Sequence, residues 1–132
     1  MTMEYRRYLI DTDVLFSKKF LKYKGDGLVT ATSVYEFLTV IRERYLELYH
    51  FGNKDRAKGY LRFLGLVLGE IKSSIIDVTS NDFIHAGSLV FERDLNVGDA
   101  INVAVAKRLN LVIVSEDKDY DRIRDLVTVT RP

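Results

Sequence analysis

Cysteine is absent from this sequence, which excludes disulfides and thiolate metal sites. That fits a reducing cytosol, and a cytoplasmic location is expected. Proline occurs once, as the last residue, so none interrupts a helix. Neither charge sign is in excess. Twenty basic and nineteen acidic residues give a formal net charge of +1, so no global positive field marks a nucleic-acid binder, and any such surface must be local. Long apolar runs are missing too. "LRFLGLVLG" is too short to cross a bilayer, and "MTMEYRRYLID" reads as neither a secretory leader nor a spanning helix. Internal repeats, low-complexity tracts and Gly/Ser/Pro linkers are also absent. What is present is 132 residues, 47% apolar and 30% charged, the composition of a soluble globular chain. One domain over residues 1–132 is expected.

The pattern along the chain alternates. Residues 5–10 read as a strand and 27–31 as a second. From Ser33, the positions Val34, Phe37, Leu38, Ile41, Tyr45 and Leu48 recur at helical spacing. "HFGN" breaks that pattern, and a second long helix follows, with Ala57, Tyr60, Leu61, Leu64, Val67, Leu68 and Ile71 on one face. Residues 73–79 read as a strand and 80–94 as a capped helix. Residues 98–110 read as a further helix, 111–115 as the clearest buried strand and 126–130 as a last strand. Strands alternating with helices predict an α/β fold with a mainly parallel sheet of four to five strands, covered on both faces. Ligands in such folds sit beyond the carboxyl ends of the strands.

Acidic residues collect at that edge. Asp11 and Asp13 follow the first strand in "YLIDTDVLF". Asp117 and Asp119 follow "LVIVS", and Glu36 lies near the start of the helix that leaves the second strand. Asp99 is placed by its helix, which ends near Leu109 with only about one residue before the strand at Leu111. The helix therefore finishes at the amino edge, its start with Asp99 lies at the carboxyl edge, and Asn102 shares the face of Asp99. Converging carboxylates repel unless some take up protons or a cation joins them. Oxygen donors without cysteine, and without a histidine at ligand spacing (His50 and His85 stand alone), favour Mg²⁺ or Mn²⁺ over zinc. Such ions polarise phosphoryl oxygens and acidify bound water, which suits hydrolysis of a phosphate ester.

These residues resemble the PIN-domain nucleases. "YLIDTDVL" is similar to that family's opening strand and Asp-Thr-Asn, "SVYEF" to its helix-borne Glu, and "GDAINVAVAKRLN" to its Asp-Ala segment. "LVIVSEDKDYDRI" is similar to its closing strand and Thr-x-Asp followed by an aromatic. The four motifs occur in order over nearly the whole chain. The resemblance implies a three-layer α/β/α fold and a Mg²⁺- or Mn²⁺-dependent endoribonuclease. The family's acids fall on Asp11, Glu36, Asp99 and Asp117, holding one or two ions, some through water, and cleavage leaves 5′-phosphate and 3′-hydroxyl ends. Compact members of this size are often toxins of VapBC-type pairs, commonly homodimeric and silenced by a small antitoxin. Two departures stand out. Asp13 replaces the usual Asn, and Ser115 the usual Thr. "SEDKDYD" offers Asp119 as an alternative to Asp117 for the fourth acid and metal ligand.

Each acid also has an ordinary structural reading. Ser33 and Glu36 fit a capping box, Asp99 a complement to the helix dipole, Asp11 an Asx turn, and Asp117 or Asp119 a solvated turn. Lys18, Lys19, Lys22, Lys24, Arg42 and Arg44 could meet RNA phosphates or simply form solvated faces. Two rival functions share the opening motif. One is a haloacid-dehalogenase-like phosphatase, with Asp11 as nucleophile and Asp13 as general acid. The other is a catalytically silent PIN-like module that binds RNA or a partner. The phosphatase reading wants a second acid that "GDAIN" lacks.

Overall fold

The computed structural model describes residues 7–132. The part of the first expected strand at residues 5 and 6 lies outside them. β1 (Tyr8–Ile10) leads into a one-turn helix, α1 (Thr12–Leu15), and a 3₁₀ segment at Lys18–Tyr23. β2 (Gly27–Thr30) is followed by a helical hairpin, α2 (Ala31–His50) and α3 (Lys54–Ile71). Then come β3 (Ile75–Ile76), α4 (Ser80–Glu92), α5 (Val97–Leu109) and β4 (Val112–Val114). A second 3₁₀ segment, Lys118–Ile123, and β5 (Val129–Thr130) complete the order.

The five strands form one parallel sheet in the order β3-β2-β1-β4-β5. From β1 the chain winds outward to β2 and β3, then returns to the other side of β1 to lay down β4 and β5. The winding therefore reverses between β1 and β4, and a crevice opens beyond their carboxyl ends. Period-two alternation sends neighbouring side chains to opposite faces. Leu9, Leu28 and Ile113 pack with α4 and α5, whereas Ile10, Val29 and Val114 pack with α1, α2 and α3. This sheet flanked by helices is the expected three-layer α/β/α arrangement. The strands at 73–79 and 126–130 are shorter than the β-rich sequence suggested, two residues each.

α5 is buried from Asp99 through Ala106, which explains its small and β-branched side chains. Asn110, in the left-handed conformation at φ 54°, caps its carboxyl end and turns the chain toward β4. α5 thus finishes at the amino edge and begins at the carboxyl edge. α2 starts two residues before the expected Ser33. Its N-cap is Thr30, whose Oγ1 accepts from the Ser33 amide at 3.1 Å. Ser33 lies within the first turn, so the expected capping box with Glu36 does not form.

Candidate metal centre

Asp11 leaves β1 at its carboxyl end, and its amide donates to the Val114 carbonyl at 3.0 Å, tying it to the end of β4. It is 6% exposed. Both carboxylate oxygens are held. Oδ1 accepts from Asn102 Nδ2 at 3.0 Å and Oδ2 from Ser115 Oγ at 2.8 Å. Asp99 stands in the first turn of α5, buried, in a reciprocal cap with Asn96. Its amide donates to Asn96 Oδ1 at 2.8 Å, and Asn96 Nδ2 donates to Asp99 Oδ2 at 3.0 Å. Asp117 caps the second 3₁₀ segment. Its amide donates to Ser115 Oγ at 2.9 Å, and its Oδ1 accepts from the Asp119 amide at 2.9 Å.

One oxygen from each of Asp11, Asp99 and Asp117 lies within 4.8 Å of the others. Glu36 stands beside this trio. Its Oε2 accepts from Thr12 Oγ1 at 3.2 Å, and its carboxylate lies across the backbone of Gly98. Asp119 is turned away, with its carboxylate 3.7 Å from Arg122 Nη2. Asp13 is exposed, and its Oδ2 accepts from the Glu116 amide at 3.0 Å. It clamps the loop after β4 and does not enter the trio.

Burial and mutual repulsion act on these acids together. Asp11 is pushed up to about 6, by burial first and then by the Asp13 charge, with Glu36 adding to it. The hydrogen bonds from Ser115 and the Thr12 amide pull the other way. Asp99 is pushed up to about 8, by burial first and then by the charges of Asp11 and Asp117. Burial also raises Glu36. The donor set is carboxylate oxygen with neither nitrogen nor sulfur, and its charges are unbalanced by any cation in the trio. These residues fit a hard divalent ion.

The basic residues divide. Lys19 pairs with Glu116 at 3.1 Å and Lys24 with Glu70 at 3.0 Å, while Arg44 lies over the rings of Phe16 and Tyr60. Lys18, Lys22 and Arg42 are exposed. Four participants escaped sequence reasoning: Thr12, Thr30, Asn96 and Tyr120. Asn96 had a usable signal, an Asn three residues before an Asp at a helix start. Tyr120 is the aromatic of the closing motif, but nothing in that motif marks its hydroxyl as a hydrogen-bonding group.

A PIN domain profile matches residues 8–126. The chain belongs to the PIN domain family. PIN domains are metal-dependent nucleases, and the match favours that chemistry over the phosphatase alternative. Among solved structures, the Pyrobaculum aerophilum protein PAE2754 is similar, with a TM-score of 0.70 and 21% identity, over 93% of this chain and 90% of that one. DNA-bound VapBC from Salmonella typhimurium aligns with a TM-score of 0.67 and 13% identity, over 96% of this chain and 98% of that one. FitAcB from Neisseria gonorrhoeae aligns with a TM-score of 0.64 and 16% identity, over 92% and 95%. At these identities the likeness is one of fold. No curated protein sequence matches the chain. Among the described residues, no helix is long and apolar enough to cross a membrane.

Proposed function

We propose that this PIN domain is an endoribonuclease that works with Mg²⁺ or Mn²⁺, held by Asp11, Glu36, Asp99 and Asp117. The observation that carries the reading is the convergence of three buried or half-buried carboxylates within 4.8 Å at the switch point of the sheet. When bound, a divalent ion supplies a polarised phosphoryl oxygen and a water acidic enough to attack at neutral pH.

The chain's own residues supply orientation. Asn102 and Ser115 each hold one oxygen of Asp11, so this carboxylate does not rotate away from its neighbours. Asn96 and the Asp119 amide hold Asp99 and Asp117 in the same way. Thr12 and Gly98 bring Glu36 up beside them. Lys18 and Lys22, exposed on the 3₁₀ segment that follows α1, are our candidates for contacts to RNA phosphates.

Structures of VapBC and FitAB share the fold over nearly the full length of both chains, and this supports the toxin half of a VapBC-type pair. A small antitoxin and a homodimer belong to that reading. The strongly exposed side chains of Tyr35, Phe51, Leu66, Ile84 and Phe91 offer apolar surface for either partner. Such a pair would act in the cytoplasm.

The test incubates the purified chain with end-labelled single-stranded RNA and Mg²⁺ or Mn²⁺. Cleavage that leaves 5′-phosphate and 3′-hydroxyl ends is expected, and it should stop with chelator. RNA left intact under both ions would end the enzymatic reading. A short reading frame beside this one, encoding a DNA-binding protein that blocks cleavage, would support the pairing.

A further inference from the structure

Asn102 sits on α5, three residues after Asp99 and 2% exposed, with its amide fully engaged. Its Oδ1 accepts from Thr30 Oγ1 at 3.1 Å and from Ser33 Oγ at 3.4 Å. Its Nδ2 donates to Asp11 Oδ1 at 3.0 Å and to the Tyr120 hydroxyl at 3.2 Å. These partners fix which way the amide faces. A carboxylate requires the NH₂ side, and the two hydroxyls at the end of β2 and in the first turn of α2 serve the oxygen. The Tyr120 ring is fully buried. Because its hydroxyl oxygen already receives a proton from Asn102, its own proton is left for an acceptor, and the neighbouring Asp99 carboxylate can take it.

We propose that Asn102 is a positioning residue: one buried amide orients Asp11 directly and Asp99 through the Tyr120 hydroxyl, fixing the two acids relative to each other. The inference rests on the reading that these acids hold a divalent ion. It goes beyond that reading by assigning their geometry to a relay anchored at Thr30 and Ser33 on the far side of β1.

The experiment is a double-mutant cycle on manganese affinity. Mn²⁺ is titrated calorimetrically into the full chain as wild type, Asn102→Leu, Tyr120→Phe and the double variant, each with a melting curve. Outer partners of metal ligands typically contribute roughly 10–100-fold in affinity, and each single variant should fall about 10-fold or more. In the Asn102→Leu background, Tyr120→Phe should cost about 2-fold or less, because the relay is already broken. Full multiplication of the two losses, or wild-type affinity in Asn102→Leu, would overturn the proposal. If Asn102→Leu does not fold, Asn102→Ala takes its place. It withdraws the donor without adding a charge beside Asp11, and the same two outcomes decide. A wild-type chain that binds no Mn²⁺ strikes the metal reading itself. Wild-type binding with unaffected variants strikes only the relay.

Discussion

Glu36 lies so close across Gly98 that a β-carbon on the glycine would stand 3.0 Å from the Glu36 carboxyl carbon and closer still to one of its oxygens. A residue of α2 is thus seated against the first turn of α5, and the seat exists because position 98 has no side chain. Gly98→Ala should raise helix propensity in α5, by up to about 1 kcal/mol, while pushing Glu36 out of place. The expected result is a melting temperature equal to or above wild type, with weaker metal stabilisation and slower RNA cleavage. Unchanged cleavage would remove Glu36 from the site.

Removing charge from the trio should separate stability from activity. Asp11→Asn and Asp99→Asn each take away one of the mutually repelling carboxylates. Without metal, both variants should melt no lower than wild type. Their metal-dependent cleavage should fall by more than the roughly 10–100-fold typical of an outer partner. Melting curves and initial rates on one RNA substrate check both halves.

The metal-free protein should lose stability as pH rises. In the unfolded chain Asp11 and Asp99 ionise near the ordinary value of about 3.9. In the folded chain they ionise near about 6 and about 8. Between those limits the folded state binds more protons than the unfolded one, so the pH slope of stability is negative. The stabilisation is fully present below about pH 4 and is gone above about pH 8. Apparent metal affinity should run the opposite way and rise across the same window, because protons and cation compete. Melting curves with chelator and with Mn²⁺, from pH 4 to 9, should therefore diverge as pH increases.

An ion pair away from the site offers a control. Arg108 on α5 donates twice to the Asp82 carboxylate on α4, at 2.9 and 2.8 Å, and Asp82 is 2% exposed. Arg108→Ala leaves that carboxylate with only the cap from Thr79, and it should cost about 2–3 kcal/mol of stability. Metal affinity per folded molecule should stay at the wild-type value. A drop in affinity would show that α4 and α5 move the carboxyl edge together.

The placement of the acids was legible because it followed from chain direction. Asp11 and Asp117 end parallel strands, and the short link from Leu109 to β4 left α5 only one way to run. The start of α2 was misplaced because its first residues, Ala31 and Thr32, show no apolar periodicity. "TATS" offers two hydroxyl caps three residues apart, and the earlier one wins. The 3₁₀ segments carry no signal of their own in the sequence, since six residues are too few to display a period. Asp117 and Asp119 differ in side-chain direction, which the sequence does not show. Asp117 faces the other acids, while Asp119 lends its amide to Asp117 and its carboxylate to Arg122. The role of Asn102 depends on four partners spread from Asp11 to Tyr120, a relationship that periodicity does not reveal.

The most direct measurement is anomalous diffraction from crystals grown with manganese at about pH 8, where both shifted carboxyls can give up their protons. The account predicts a strong peak bounded by the carboxylates of Asp11, Asp99 and Asp117, absent from crystals of Asp99→Asn. A featureless map at that position, with the three side chains ordered and splayed apart, would contradict it.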